Sequence, residues 1–391
     1  MALAGDRAYT TTLEDDVISV PTAGGSVSKA LPASRDTEVR QIAASSTRAA
    51  LIRATGTSER VRYQAFAGPP FAPLEPPLVV DSPQTVPLRV QVDGDRLFTF
   101  RTVAPRTTTV TVRDPDPHEI AFPPNANPAV AVFKGDLVAY PTTWTDRDPR
   151  FKDRRLVVAN WKTGEQRYSV DLPSAVSALD LRPSGRVVAT VEDTLFEVSP
   201  AGAARMIVSD RDSAGFFAGE NIVFVRGGSL RVLDPSGQVR RFGVRTRTPI
   251  SFATDETRVL WVANGCLLVA SVTDAPVDTI GAGPCPRGEL EIDYGGSYRA
   301  LARDLPVRLR CITGRCRGEL RLKLEGRWLG PWQRFSVPAG RTRRISLRLT
   351  GAGPRALERA GAAGGFVRVD AEWRIGGALR VPLYGLYVDP K

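Results

Sequence analysis

A single histidine, His118, stands in "RDPDPHEIAFPP" with Asp114, Asp116 and Glu119 close by, a set that can be drawn as an acid/base pair or a metal cluster. A lone imidazole with neither a second ligand nor a nucleophile is a poor start for either chemistry. The aspartates and prolines around it are turn formers, so the stretch reads as a turn between strands. Asp-x-Asp pairs in residues 142–153 and 209–213 offer oxygens of the kind Ca²⁺ takes, but without the fuller D-x-D-x-D-G spacing they read as loop acids. The first of these stretches is the longest insertion in the chain, between two strands, where binding loops tend to sit. Gly227-Gly228 reads as a hairpin turn, since no helix follows to present free N–H groups to a phosphate. The Gly-x-Ser-x-Gly elbow and the Ser-x-Asp-x-Gly-x-Thr box are absent from the sequence. These observations assign no catalytic, cofactor-binding or metal-ligating residue.

The four cysteines sort into two local pairs. Cys311 and Cys316 flank "ITGR" at the ends of two strands, which predicts a disulfide across a hairpin. Cys266 opens a third strand and Cys285 follows the fourth, and antiparallel neighbours there predict a second bond. A zinc site built from both pairs is the rival, but intervening lengths of four and eighteen residues depart from knuckle spacing. Disulfides imply an oxidising compartment, hence the cell exterior or envelope.

The chain's formal charge of +11 is unevenly held. Residues 1–284 carry 32 basic and 32 acidic side chains, and residues 285–391 carry 21 and 10. That step marks a domain boundary. Of the basic residues 47 are Arg and 6 are Lys, as a GC-rich genome would encode. In "GELRLKLE", Leu320, Leu322 and Leu324 fall on one face of a strand, with Glu319, Arg321, Lys323 and Glu325 on the other. The charges are expected on a solvated face, as are Arg308 and Arg310 beside Val307 and Leu309. Aromatic residues that would stack on bases are scarce, although Trp328, Trp332 and Trp373 leave a carbohydrate-type surface open.

What positions these residues is a repeat. Small or acidic turns recur at Gly5-Asp6-Arg7, Ser46-Thr47-Arg48, Gly94-Asp95-Arg96, Gly135-Asp136, Ser184-Gly185-Arg186, Gly219-Glu220-Asn221 and Glu256-Thr257-Arg258. Each is followed by apolar strands such as "RLFTF" or "RVVAT" and later by a turn such as "SPAG". Seven units of about 35 to 50 residues, four strands each, predict a seven-bladed β-propeller over residues 1–284. These units, most clearly "ALDLRPSGRVVATVEDTLFEVSPAG", resemble bacterial TolB-like or WD-repeat-related β-propellers, without the Gly-His and Trp-Asp pairs of WD repeats. The first unit opens on only "MALAGD", so the chain is expected to start inside a strand, with an export signal upstream.

Beyond a linker over 285–305, alternating short strands in 306–391 predict a small immunoglobulin-like β-sandwich, with "GPRALERAGA" as a helical turn. The module resembles the Arg-rich C-terminal β-domains of exported actinobacterial propeller proteins. No apolar run reaches membrane-spanning length. The expectation is an all-β, monomeric, non-catalytic binding or scaffold protein whose partner is a protein or an anionic envelope polymer. A propeller hydrolase or lyase with an axial carboxylate site is one alternative. Nucleic-acid or polyanion binding through the C-terminal module is the other, with sequence-specific nucleic acid disfavoured.

Overall fold

The computed structural model describes residues 1–391 apart from 12–15, 24–26, 33–36, 57–59, 75, 82–86, 105–106, 115, 143–152, 243–251, 264–265, 274–277, 280–289, 295–302, 312–315, 325–326, 339–340, 362–366, 376–377, 381–384 and 389–391. From Ala2 to Thr279 the described residues form seven antiparallel sheets in sequence order. Within each, consecutive strands are neighbours, as short hairpin turns require, except at the outer edge of the second sheet. All seven recurrent turns lie between the first and second strands of a sheet, for example Gly94-Asp95 between Leu88–Asp93 and Arg96–Ala104.

Six of these sheets have four strands. The second has five, because two short strands, Ala72–Pro73 and Leu78–Asp81, both pair with Arg60–Gly68. The reason is chemical. Pro69, Pro70, Pro73, Pro76 and Pro77 supply no N–H, and an outermost strand, with one partner only, is the place where an interruption costs least.

The first strand of each sheet contacts the first strand of the next, and the first strand of the seventh, Phe252–Thr254, contacts Ala2–Ala4 of the first. The series closes on itself. Its apolar interior is accordingly divided into seven clusters, each made from two adjacent sheets, including one between sheets seven and one built on Leu3, Ala8, Val20, Leu260 and Val269. Second strands such as Asn221–Arg226 and Val187–Val191 are buried on both faces, which is why they read as unbroken apolar runs.

The turns that define the repeat also join the units. Arg48 donates to the Asp95 carbonyl (2.7 Å), Arg96 to Gly135 (2.9 Å), Arg186 to Glu220 (3.0 Å) and Arg258 to Gly5. Each arginine begins or directly precedes a second strand and reaches the first turn of the following sheet, so the basic residue of the motif is a clamp between units. Where sheet four has Leu137 at that position, the Tyr168 hydroxyl donates to the Gly185 carbonyl instead. At the two remaining junctions backbone packs on backbone: a Cβ at Gly5 or Gly219, both at positive φ, would lie 2.7 Å from the carbonyl oxygens of Ser46 and Glu256.

After Thr279 the chain forms two further sheets. One has the order Leu290–Tyr294, Asp304–Cys311, Thr342–Arg348. The strand Leu290–Tyr294 falls inside the 285–305 span read above as a linker. The other sheet is six-stranded and centred on Cys316–Leu324 and Val367–Ile375. A single cluster takes Leu305, Val307, Leu309 and Leu347 from the first sheet and Leu320, Leu322, Val337 and Val369 from the second, with Leu357 from the helix Gly353–Gly361.

Candidate functional site

His118 belongs to the outermost strand of the third sheet, Pro117–Ile120, and not to a turn; the turn is formed by the residues just before it. Its ring lies against Trp161, which the fourth sheet contributes from the turn after Arg155–Asn160 (centroids 6.0 Å apart, planes at 27°). That turn is fixed locally. Asn160 accepts the N–H groups of Lys162 (2.9 Å) and Thr163 (3.1 Å) through its side chain, and Gly164 supplies the positive φ that closes it. Between this outer strand and that turn lies a cleft of about 590 Å³, with Asp114, His118 and Glu119 on one wall and Trp161, Lys162 and Thr163 on the other.

Beneath the cleft the groups are already engaged. Arg96 donates to Asp114 (2.7 Å) as well as to the Gly135 carbonyl, the same carbonyl that accepts the Trp161 indole N–H (3.0 Å). Lys162 pairs with Asp136 (2.9 Å), and that hydrogen bond holds the Asp136 carboxyl below its usual range. Phe98 stacks on Phe133 at 4.2 Å and meets Trp161 edge-on at 5.9 Å, so the wall is rigid. His118 and Glu119 are consecutive in a strand and leave it on opposite faces. The walls thus offer exposed polar contacts on a firm base, with one of the lining carboxylates, Asp114, committed to Arg96. Among the described residues no group of three His, Cys, Asp or Glu could hold a metal ion.

The innermost strands hold the other polar groups, and there too they bind neighbours. Gln41 exchanges two hydrogen bonds of 3.0 Å with the backbone of Val90, as an extra strand would. Gln91 does the same to Phe133 (2.6 and 3.1 Å). Asp93 accepts from Gly135 N–H (2.6 Å) and pairs with Lys134 (3.1 Å). Asp180 accepts from Phe217 N–H (2.7 Å) and Leu181 N–H (2.9 Å). Although the Asp180 residue as a whole is only partly covered, its carboxyl is enclosed, and this desolvation outweighs the two N–H donors and pushes its pKa up to about 6. These residues escaped the sequence reading. The signal was present as polar residues at alternate positions in short apolar strands, "LRVQVD" and "VSALDL".

The Asp-x-Asp stretches behave differently from calcium loops. Residues 143–152 lie outside the described residues, and Asp153 accepts from the Asn127 amide (3.0 Å). Asp212 accepts Gly228 N–H (2.7 Å), capping the Gly227-Gly228 hairpin, whose two glycines both have positive φ.

Cys316 is fully buried and disulfide-bonded, while Cys285 and the side chains of Cys266 and Cys311 fall outside the description. The expected hairpin is not formed. Cys311 ends a strand of the three-stranded sheet and Cys316 begins one of the six-stranded sheet, so a bond between them would join two sheets. Short separation between two strand-like stretches predicts pairing, but here the chain crosses between layers.

The charged face of "GELRLKLE" is also only partly solvated. Leu320, Leu322 and Leu324 are buried as expected, but Lys323 is buried too, and Arg321 is sandwiched. Its guanidinium lies 3.2 Å from the Trp328 ring centroid and 4.3 Å from that of Trp332, and pairs with buried Glu372 at 2.7 Å. The chain folds back through Arg327–Trp328, which pairs with Lys323 and Leu324 and brings the indole over the charges. Two of the three tryptophans expected to offer a sugar platform therefore hold an arginine, and the side chain of Trp373 lies outside the description. Arg308, by contrast, is exposed as expected.

No family model matches the chain, and no curated protein matches it. Solved structures similar to it include the WD40 domain of Toxoplasma gondii coronin (11% identity, 70% of this chain and 82% of that one, TM-score 0.39). Others are Saccharomyces cerevisiae Sqt1 (11%, 79% and 92%, 0.43) and the Pyrococcus horikoshii acylaminoacyl peptidase (10%, 87% and 57%, 0.45). The chain spans little more than half of that peptidase. These neighbours, all at low identity, include a WD40 domain and a peptidase.

Proposed function

We propose that the chain is a non-catalytic binding or scaffold protein in which the seven sheets are the blades of a closed β-propeller and the C-terminal sheets form a basic immunoglobulin-like sandwich. The observation that supports this best is the fate of the polar groups on the innermost strands. Gln41, Gln91, Asp93 and Asp180 are committed to backbone groups of the next sheet, which leaves them as mortar and not as acid/base pairs. The His118–Trp161 cleft is the binding surface this reading favours, because it is rigid, open and lined by side chains with polar atoms at the rim. A hydrolase survey with fluorogenic peptides, esters and glycosides tests it. No turnover is expected, and turnover lost in Asp93→Asn or Asp180→Asn would establish the axial carboxylate enzyme instead.

Export is part of the same proposal and rests on the cysteines. The bonds Cys266–Cys285 and Cys311–Cys316 are expected, the second as a staple between sheets, supported by the disulfide at Cys316. Non-reducing peptide mapping tests both. Weak, salt-screened polyanion binding by the C-terminal unit remains a second reading, favoured by the excess of 21 basic over 10 acidic residues in 285–391. Register moderates it. In the three-stranded sheet Asp293 and Glu291 are in register with Arg308 and Arg310.

A further inference from the structure

We propose that Arg89, on the innermost strand of the third sheet, is a receptor for a carboxylate. The inference goes beyond the scaffold reading and does not depend on it. In Leu88–Asp93 the odd and even positions face different neighbours: Leu88, Val90 and Val92 are buried in the cluster with sheet two, and Arg89, Gln91 and Asp93 face sheet four. There the three side chains read three alternate residues of the next inner segment. Arg89 donates to the Ala131 carbonyl, Gln91 engages Phe133 and Asp93 accepts from Gly135.

The rungs at 91 and 93 are each engaged twice and the rung at 89 only once. Gln91 gives and takes one bond, and Asp93 holds both an N–H and Lys134. Arg89 has five N–H donors and makes one hydrogen bond among the described residues, from Nη2. Its Nε is buried with no partner. One face of the guanidinium is closed by Phe100, whose ring centroid lies 3.7 Å away. No described carboxylate pairs with it, and Asp93, the next acid on the strand, is four residues further, about 13 Å along an extended chain. Burial lowers its pKa to about 10, in keeping with a charge that has lost water without gaining an anion.

A glutamine at this position would make the carbonyl contact as well, as Gln91 demonstrates two residues on. What arginine adds is a positive charge and unused donors in one plane, the arrangement that carboxylates bind in two-point fashion. Phe100 blocks approach from one side, so the ligand enters edge-on, in the plane of the guanidinium. The carboxylate can be that of a free small acid or a Glu or Asp side chain on a bound partner.

Thermal unfolding of the full chain at constant ionic strength, with chloride replaced stepwise, distinguishes these. The probes are acetate, citrate, and a capped Gly-Glu-Gly peptide beside its Gly-Gln-Gly counterpart. A rise in Tm of about 2 °C or more with a carboxylate probe, and none with the Gln peptide, is expected for the wild type. Response to acetate or citrate assigns a free acid, and response to the Glu peptide alone assigns a partner side chain. Arg89→Gln should lose the response while melting no lower than wild type in chloride, and Arg344→Gln, on the exposed C-terminal face, should keep it. Calorimetric titration of the wild type with citrate is a readout independent of any variant. The proposal is overturned if carboxylates stabilise the wild type no more than chloride does, if Arg89→Gln responds equally, or if Arg89→Gln melts several degrees lower in chloride, which would make Arg89 a structural strut.

Discussion

Arginine does opposite work in the two halves of this molecule. In the closed series of sheets, Arg48, Arg96, Arg186 and Arg258 turn inward onto carbonyl oxygens of a neighbouring turn, and carboxylates stand beside most of them, so the charge is absorbed by the fold. In the C-terminal unit, Arg308, Arg317, Arg344 and Arg348 are exposed, and no ion pair to them is formed among the described residues. Arg321 is the exception that proves instructive: once two indoles and Glu372 enclose it, it behaves like an arginine of the first half. Residue type sets the available charge, and the acceptor decides whether that charge faces outward.

The largest test of this contrast is at the closure. Arg258 holds Gly5, Thr22 and Asp255 together, so Arg258→Ala should lower unfolding free energy by about 2–4 kcal/mol in denaturant titration, while Arg344→Ala should cost no more than about 0.5 kcal/mol. Equal losses would break the comparison.

Asp180 gives the next effect and fixes its sign. Its folded pKa of about 6 lies above the unfolded value of 3.8, so between these the native state holds the proton more tightly. The contribution of this carboxyl to stability is then fully present below about pH 4 and is lost as pH rises through 6, by up to about 3 kcal/mol, before levelling. Asp180→Asn keeps an oxygen for Phe217 N–H without the charge, and should flatten that fall and unfold at higher denaturant at pH 7. An unchanged pH profile would show that this carboxyl is not responsible.

Arg321→Lys tests whether the enclosed arginine in the basic half is structural. A lysine cannot stack its plane between Trp328 and Trp332, and a loss of about 1 kcal/mol with a changed near-ultraviolet circular dichroism signal is expected. The smallest effect concerns binding. Replacing Arg308, Arg344 and Arg348 by Gln should weaken heparin affinity and flatten its salt dependence, and replacing Arg48 and Arg186 should leave both unchanged in whatever folded fraction remains.

Much of the architecture was legible because its signals are local. The seven turns lie where their residues predicted, between first and second strands, since a hairpin turn is decided by a few consecutive residues and their φ preferences. The leucine face of Cys316–Leu324 followed from period two alone. The five prolines after Gly68 stood in plain view, and their effect on an outer strand was readable but went unread.

What the sequence left open depends on which strands come together. The spacing of Cys311 and Cys316 is the same whether the chain turns back in one sheet or crosses to another, and only packing places them in different layers. His118 and Trp161 are 43 positions apart and meet because an outer strand of one sheet lies beside a hairpin turn of the next. The roles of Arg48, Arg96, Arg186 and Arg258 follow from carbonyl groups, which every residue carries and no sequence distinguishes. Alternation and turn chemistry therefore determined the strands and their order, whereas the partners of buried polar groups were decided only when the sheets closed on one another, because hydrogen bonding inside a desolvated interface takes whichever acceptor the neighbouring backbone brings within reach.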